Sequence, residues 1–209
     1  MSASVSLTRP GSSALDEETA RAELYGVLSQ LYYAPPSPEL LSALRVAVTE
    51  APMEGGFLQE PWQQLVAAAR ARDDAAIAAE YDRLFGGVGK PEVFVYASHY
   101  LAGFLNEKPL ARLRTSLDRL GLARGDTMPE TEDHVAYLCE VMRYLIAGDD
   151  MAVCNLTAQR DFFAEHIQSW LPAMCNALEQ HPAASFYAAV ARLTRGFAAV
   201  EAQGFDMLD

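Results

Sequence analysis

The chain has 209 residues, about half of them apolar (51 %), which excludes a disordered polymer and suffices for one substantial core. Its net charge of -12 excludes a phosphate-binding surface, which needs clustered Lys and Arg, so no nucleic-acid partner is expected. No run approaches the roughly 18 apolar residues of a membrane span. Met1 to Gly11 is small and polar. It has neither the basic and apolar regions of a secretory signal nor a twin-arginine pair, since Arg9 stands alone before Pro10.

In chain order, residues 1–13 read as a loose tail and 14–209 as one all-helical domain. Ser12 or Ser13 can cap a first helix carrying Leu24, Tyr25, Leu28, Leu31 and Tyr32 at helical spacing, ended by Pro35 and Pro36. Ser37 and Pro38 open a second helix as cap and first-turn proline. After a loop at Gly55 and Gly56, Pro61 opens a third. Asp73 or Asp74 caps a fourth through Ile77, Tyr81, Leu84 and Phe85. An irregular stretch from Gly86 to Tyr96 precedes a helix over about 98–106. Another starts at Pro109 and ends at Gly121.

A second break covers 122–129. Thr131 then caps a long helix to Ala147, with Glu132 and Asp133 in its first turn and Gly148 as its C-cap. The last third gives a helix through Phe162, Phe163, His166 and Trp170, a short one after Pro172 and a long one after Pro182. With nine or ten helices and no strand run, the fold class is an all-α globule.

Enzymatic motifs fail one by one. Gly86-Gly87-Val88-Gly89-Lys90 imitates a phosphate loop, but Leu84 stands where the first glycine belongs and Pro91 where Ser or Thr would bind magnesium. No Glu-x-x-His pair, H-E-x-x-H or G-x-S-x-G is present. The three cysteines, Cys139, Cys154 and Cys175, form no C-x-x-C and read as buried thiols. The expectation is therefore no catalytic residue, no metal and no cofactor.

Two clusters remain. One is polar, Pro129-Glu130-Thr131-Glu132-Asp133-His134, which on spacing alone is a helix start. The other is aromatic, Tyr81, Phe85, Phe94, Tyr96, Tyr100 and Phe104, partly beside a Gly/Pro-rich loop where amphipathic tyrosines suit a recognition surface.

Taken together these blocks resemble the TorD/DmsD family of redox-enzyme maturation chaperones. The resemblance covers nearly the whole chain. It rests on Tyr81-x-x-Leu84-Phe85, Tyr96-x-Ser98-x-Tyr100, Glu130-x-x-Asp133-His134, Phe162-Phe163-x-x-His166-x-x-x-Trp170-Leu171-Pro172 and Phe186-Tyr187. The chain departs from the family at Thr131, where proline is frequent, and at Val95-Tyr96, where Pro-Trp is frequent.

The resemblance implies a cytoplasmic chaperone that is not an enzyme. It implies binding to the twin-arginine leader, the catalytic subunit, or both, of a dimethyl-sulfoxide-reductase-type molybdoenzyme, which aids cofactor insertion and delays export. It also implies domain-swapped homodimers, with the 122–129 break as hinge. A leader that is basic at one end and apolar in the middle needs an aromatic groove with carboxylates beside it. The residues expected to supply these are Tyr81, Leu84, Phe85, Val95, Tyr96, Ser98, Tyr100, Glu130, Asp133 and His134. Asp133 and His134 are expected to serve binding more than folding. The competing expectation is a general helical adaptor that binds a folded partner.

Overall fold

The computed structural model describes residues 12–49, 58–86, 90–105, 108–125 and 129–207, with 12–16 described by backbone alone. Residues 1–11 of the expected tail, the Gly55-Gly56 loop, the centre of the 86–90 turn and positions 126–128 of the expected hinge lie outside the described residues.

Among the described residues ten α-helices follow one another: α1 (Ser12–Tyr33), α2 (Pro38–Val46), α3 (Gln59–Arg70), α4 (Asp74–Tyr81), α5 (Ala97–Ala102), α6 (Lys108–Arg119), α7 (Val135–Ala147), α8 (Leu156–His166), α9 (Leu171–Glu179) and α10 (Phe186–Asp206). A π-helical turn, Asp82–Gly86, continues α4. Among the described residues the one extended pairing is an isolated antiparallel bridge between Tyr96 and His134, so the fold is all-α.

Several helix starts follow from single side chains. Ser37 Oγ accepts the Leu40 N–H at 3.2 Å and Asp73 Oδ1 the Ala76 N–H at 2.8 Å, as their sequence positions indicate. Other boundaries differ. Ser12 and Ser13 are helical and belong to α1, not to a tail. Pro61 lies two residues inside α3, and α5 is shorter than expected, closing at Gly103 with a left-handed φ of 79°. Trp170 is not in the helix of Phe162 but precedes α9 as its N-cap.

The largest correction is at α7. It starts at Val135, with His134 and not Thr131 as N-cap, so Glu132 and Asp133 stand before the helix and not in its first turn. Gly148 ends α7 with an extended backbone (φ -75°), so left-handed freedom is not why it is glycine. A Cβ there would lie 2.6 Å from Cys154 Sγ and 2.7 Å from the Tyr144 carbonyl oxygen.

The core is one cluster. α1 packs along α7, and α10 packs on α9 and α3. Trp170, Tyr32, Tyr187, Phe163 and Phe186 are its largest fully buried side chains. Their polar ends are satisfied. Tyr187 donates to the Leu31 carbonyl at 2.9 Å, Trp170 Nε1 donates to the His166 carbonyl at 2.7 Å, and Tyr32 shares a hydrogen bond with Thr194 at 3.0 Å. Arg21 and Glu201 pair bidentately at 2.7 and 2.8 Å, and Tyr25 donates to the same carboxylate at 3.0 Å, which ties α1 to α10. All three cysteines are buried and free. Burial pushes the Cys175 thiol up to about 12, which makes it inert as a nucleophile.

Candidate functional site

The short extended segments 95–97 and 133–135 cross and hydrogen-bond. Ala97 N–H donates to the Asp133 carbonyl at 3.0 Å and Val135 N–H to the Val95 carbonyl at 2.8 Å. This bridge brings two of the expected clusters together at the starts of α5 and α7.

Asp133 is 1 % exposed. Its Oδ2 accepts the Ser98 N–H at 2.9 Å and its Oδ1 the Thr131 hydroxyl at 2.6 Å. The residue before α5, Tyr96, offers no side-chain cap, so α5 is capped by Asp133 from a distant part of the chain. Thr131 thus braces this carboxylate instead of starting α7. His134 Nδ1 accepts the Ala136 N–H at 3.1 Å, which leaves that nitrogen unprotonated. Burial holds the imidazole down at about 4, against the pull of Glu130 and Asp133. Its ring meets Tyr96 edge-on at 5.0 Å. Asp133 and His134 are therefore interior groups that position the bridge.

The side chains that reach the surface here are others. Tyr96, half-buried, donates its hydroxyl to Glu130 Oε2. Burial first, then the Glu130 carboxylate, raises the Tyr96 phenol well above its ordinary range. Tyr81 is pushed up to about 12 by burial and then by the same Glu130, so both phenols stay protonated donors. Tyr81 donates to the Tyr33 carbonyl at 2.8 Å. Glu132 pairs bidentately with Arg114 at 3.1 and 2.9 Å. Burial raises its carboxyl, but this pair and nearby Arg124 outweigh it and the net shift is downward.

The π-helical turn sets the aromatic group. Phe85 lies 5.1 Å from Tyr81, 4.9 Å from Tyr187 and 6.3 Å from Tyr32, edge-on to each. It is half-buried and packs against the core. Extra-residue turns of this kind re-aim side chains and occur frequently at functional sites.

The expected residues thus divide. Tyr81, Phe85, Tyr96 and Glu130 share one partly exposed face. Leu84, Val95 and Ser98 are buried and offer no surface; they support that face from beneath. Tyr100 turns elsewhere, donating to the Phe94 carbonyl at 2.8 Å and stacking on Trp170 at 5.8 Å. Beside the face is a cleft of about 310 Å³ between α1 and α7, lined by Gln30, Tyr33 and Tyr137 among others. Tyr33 is 44 % exposed. Sequence reasoning missed Tyr33 and Tyr137 because each continues an apolar helical pattern and reads as core.

The family model described as nitrate reductase delta subunit matches residues 56–176. The chain is 30 % identical over 193 residues to a chaperone protein TorD of Vibrio cholerae serotype O1, covering 85 % of this chain and 88 % of that one. It is 26 % identical over 215 residues to a chaperone protein TorD of Shewanella loihica, covering 90 % and 94 %. A third, from Aliivibrio fischeri, is 30 % identical over 136 residues, 60 % of this chain. These relatives are named as chaperones, not enzymes. No helix among the described residues is long and apolar enough to cross a membrane. The chain belongs to the nitrate reductase delta subunit family, in its TorD/DmsD group of chaperones.

Proposed function

We propose that this chain is a cytoplasmic maturation chaperone for a molybdenum oxidoreductase of the dimethyl-sulfoxide-reductase type. It holds the enzyme's twin-arginine leader, its apo catalytic subunit, or both, until the cofactor is in place, and so delays export. The observation that carries this reading is the tyrosine-lined face of Tyr33, Tyr81 and Tyr96 around Glu130, joined to the core through Phe85, in a chain of a chaperone family. Amphipathic rings bury the apolar part of an extended or helical segment at little entropic cost, and the carboxylate answers its basic end. Leu84, Val95, Ser98, Asp133 and His134 act on binding by fixing this face, without touching the partner.

The alternation between monomer and domain-swapped dimer belongs to the same proposal, with 122–129 as hinge. A helical adaptor for a folded partner is the competing reading. Titration calorimetry decides between them, using a synthetic twin-arginine leader and the apo catalytic subunit of a dimethyl-sulfoxide-reductase-type molybdenum oxidoreductase. Binding of either supports the chaperone. Binding of the mature, cofactor-loaded enzyme alone makes it an adaptor.

A further inference from the structure

The ends of α2 and α3 and the start of α4 meet at an open cleft of about 660 Å³, lined by Arg45, Arg70, Arg72, Asp73 and Asp74. Three guanidinium groups stand there against two carboxylates, in a chain whose net charge is -12. Each guanidinium is anchored. Arg45 donates to the carbonyls of Ala69 at 2.9 Å and Arg72 at 2.8 Å and pairs with Asp74 at 2.6 Å. Arg70 donates to the carbonyls of Arg45 at 2.8 Å and Ala47 at 3.2 Å. Arg72 donates to the Ser185 hydroxyl at 3.2 Å. A guanidinium has five N–H donors, so each keeps donors beyond these contacts. Among the described residues neither Arg70 nor Arg72 pairs with a carboxylate. Beside them the chain leaves α2 through Val46 and Val48, 78 % and 76 % exposed. This stretch is pinned to α3. Arg70 holds the Arg45 and Ala47 carbonyls, Trp62 Nε1 donates to the Val48 carbonyl at 3.0 Å, and Gln63 Nε2 donates to that of Thr49 at 2.9 Å. Four side-chain hydrogen bonds thus fix a backbone, extended at Ala47, that presents two valines to solvent next to the arginines.

We infer that this face docks an acidic polypeptide segment, one whose carboxylates alternate with apolar side chains. The planar fork of a guanidinium matches a carboxylate in two parallel hydrogen bonds. Heads and backbone that are already held lose little freedom when a partner arrives. The cleft is open and wide, which suits an extended chain better than a small molecule that needs enclosure. The valines give the partner's apolar side chains something to cover, and the arginines receive its charges. The chain's overall negative charge repels such a segment elsewhere and so confines it to this face. The surface carries none of Tyr33, Tyr81, Tyr96 and Glu130 and prefers the opposite charge from theirs, so the inference stands whatever binds there. Asp74 has the wrong sign for this partner and ties up Arg45, and that makes the inference testable by direction.

The test follows the methyl resonances of Val46 and Val48 while the full chain is titrated with acetyl-Glu-Leu-Glu-Leu-Glu amide. The same peptide with Gln in place of Glu, and inorganic phosphate, serve as controls. The expected result is a saturable shift of both valines with the acidic peptide, weakening as salt is raised, and a far weaker shift with the Gln peptide. Arg72→Gln, which gives up only a contact with an exposed hydroxyl, weakens binding of the acidic peptide about two- to fivefold. Asp74→Asn, which frees Arg45 and removes a like charge, tightens it by a similar factor. Loss of folding cannot produce effects of opposite sign. Equal binding of the two peptides, a larger shift with phosphate than with the acidic peptide, weaker binding in Asp74→Asn, or valine methyls that do not move overturns the inference.

Discussion

Asp133 caps a helix it does not belong to: its carboxylate receives the Ser98 N–H at 2.9 Å, across 35 positions of chain. A buried carboxylate with two hydrogen bonds holds more than the helix-dipole fraction of a kcal/mol expected of a residue in a first turn. Asp133→Asn should lower unfolding free energy by about 1–2 kcal/mol, the scale of a lost cap or charge-assisted hydrogen bond. Urea denaturation checks it. An unmoved midpoint would show that α5 needs no cap from the bridge.

His134 makes stability depend on pH. Unfolded, it takes a proton near 6.5; folded, burial delays this to about 4. The unfolded chain therefore binds more protons in that window. Its contribution is fully present above about pH 6.5 and is lost as pH falls toward 4, for about 2–3 kcal/mol. Protonation also ends the cap on Ala136. His99 and His166, likewise held down by burial, add slope of the same sign. His134→Asn keeps a capping side chain and removes one titration, so its stability should fall less steeply than wild type between pH 6.5 and 4.5. Parallel slopes would refute this.

The face around Glu130 separates binding from folding at two positions. Tyr33→Ala removes an exposed ring and keeps the carbonyl that Tyr81 uses. It should leave the melting temperature within about 2 °C and weaken client binding by 1 kcal/mol or more, roughly fivefold. Phe85→Ala should instead cost about 3 kcal/mol of stability, since three aromatic partners lose their common neighbour. Calorimetry of binding and thermal melts on both variants check the contrast. Normal client affinity in Tyr33→Ala would put the binding face elsewhere.

Glu80 is the plainest structural acid. Its carboxylate accepts the N–H groups of Ser185 at 2.8 Å, Phe186 at 3.2 Å and Tyr187 at 2.8 Å, where α10 begins without a side-chain cap of its own. Glu80→Ala leaves these donors unpaired in a buried setting and should cost about 2–4 kcal/mol. Glu80→Gln, which keeps one carbonyl acceptor, should cost less. Chemical denaturation of the two variants gives the order, and equal losses would discount the hydrogen bonds.

Periodicity and caps carried much of the fold. Ser37-Pro38 and Asp73 mark helix starts through hydrogen bonds within three residues, and local chemistry of that range is visible in sequence. What escaped was action across the chain. Nothing near Glu80 says that it caps a helix more than a hundred positions away, and nothing near Thr131 says that it braces Asp133 instead of starting α7. The site divided along the same line. The resemblance singled out segments, and one turn of π-helix and one bridge decided which of their side chains are partly exposed, Tyr81 and Tyr96, and which are buried, Leu84, Val95 and Ser98.

The reach of α10 bears on when the protein can finish folding. Glu80 waits for Phe186, 106 positions on, and Arg21 for Glu201, 180 positions on. While the chain is being synthesised, α1 and α7 can meet early, but the aromatic faces of Tyr25, Tyr32 and Tyr81 stay uncovered until α10 has emerged. Contacts of such separation are slow to form, and uncovered apolar faces are prone to aggregate. Before release from the ribosome, this member of a chaperone family is itself a nascent chain with the aromatic rings that α10 will cover still open.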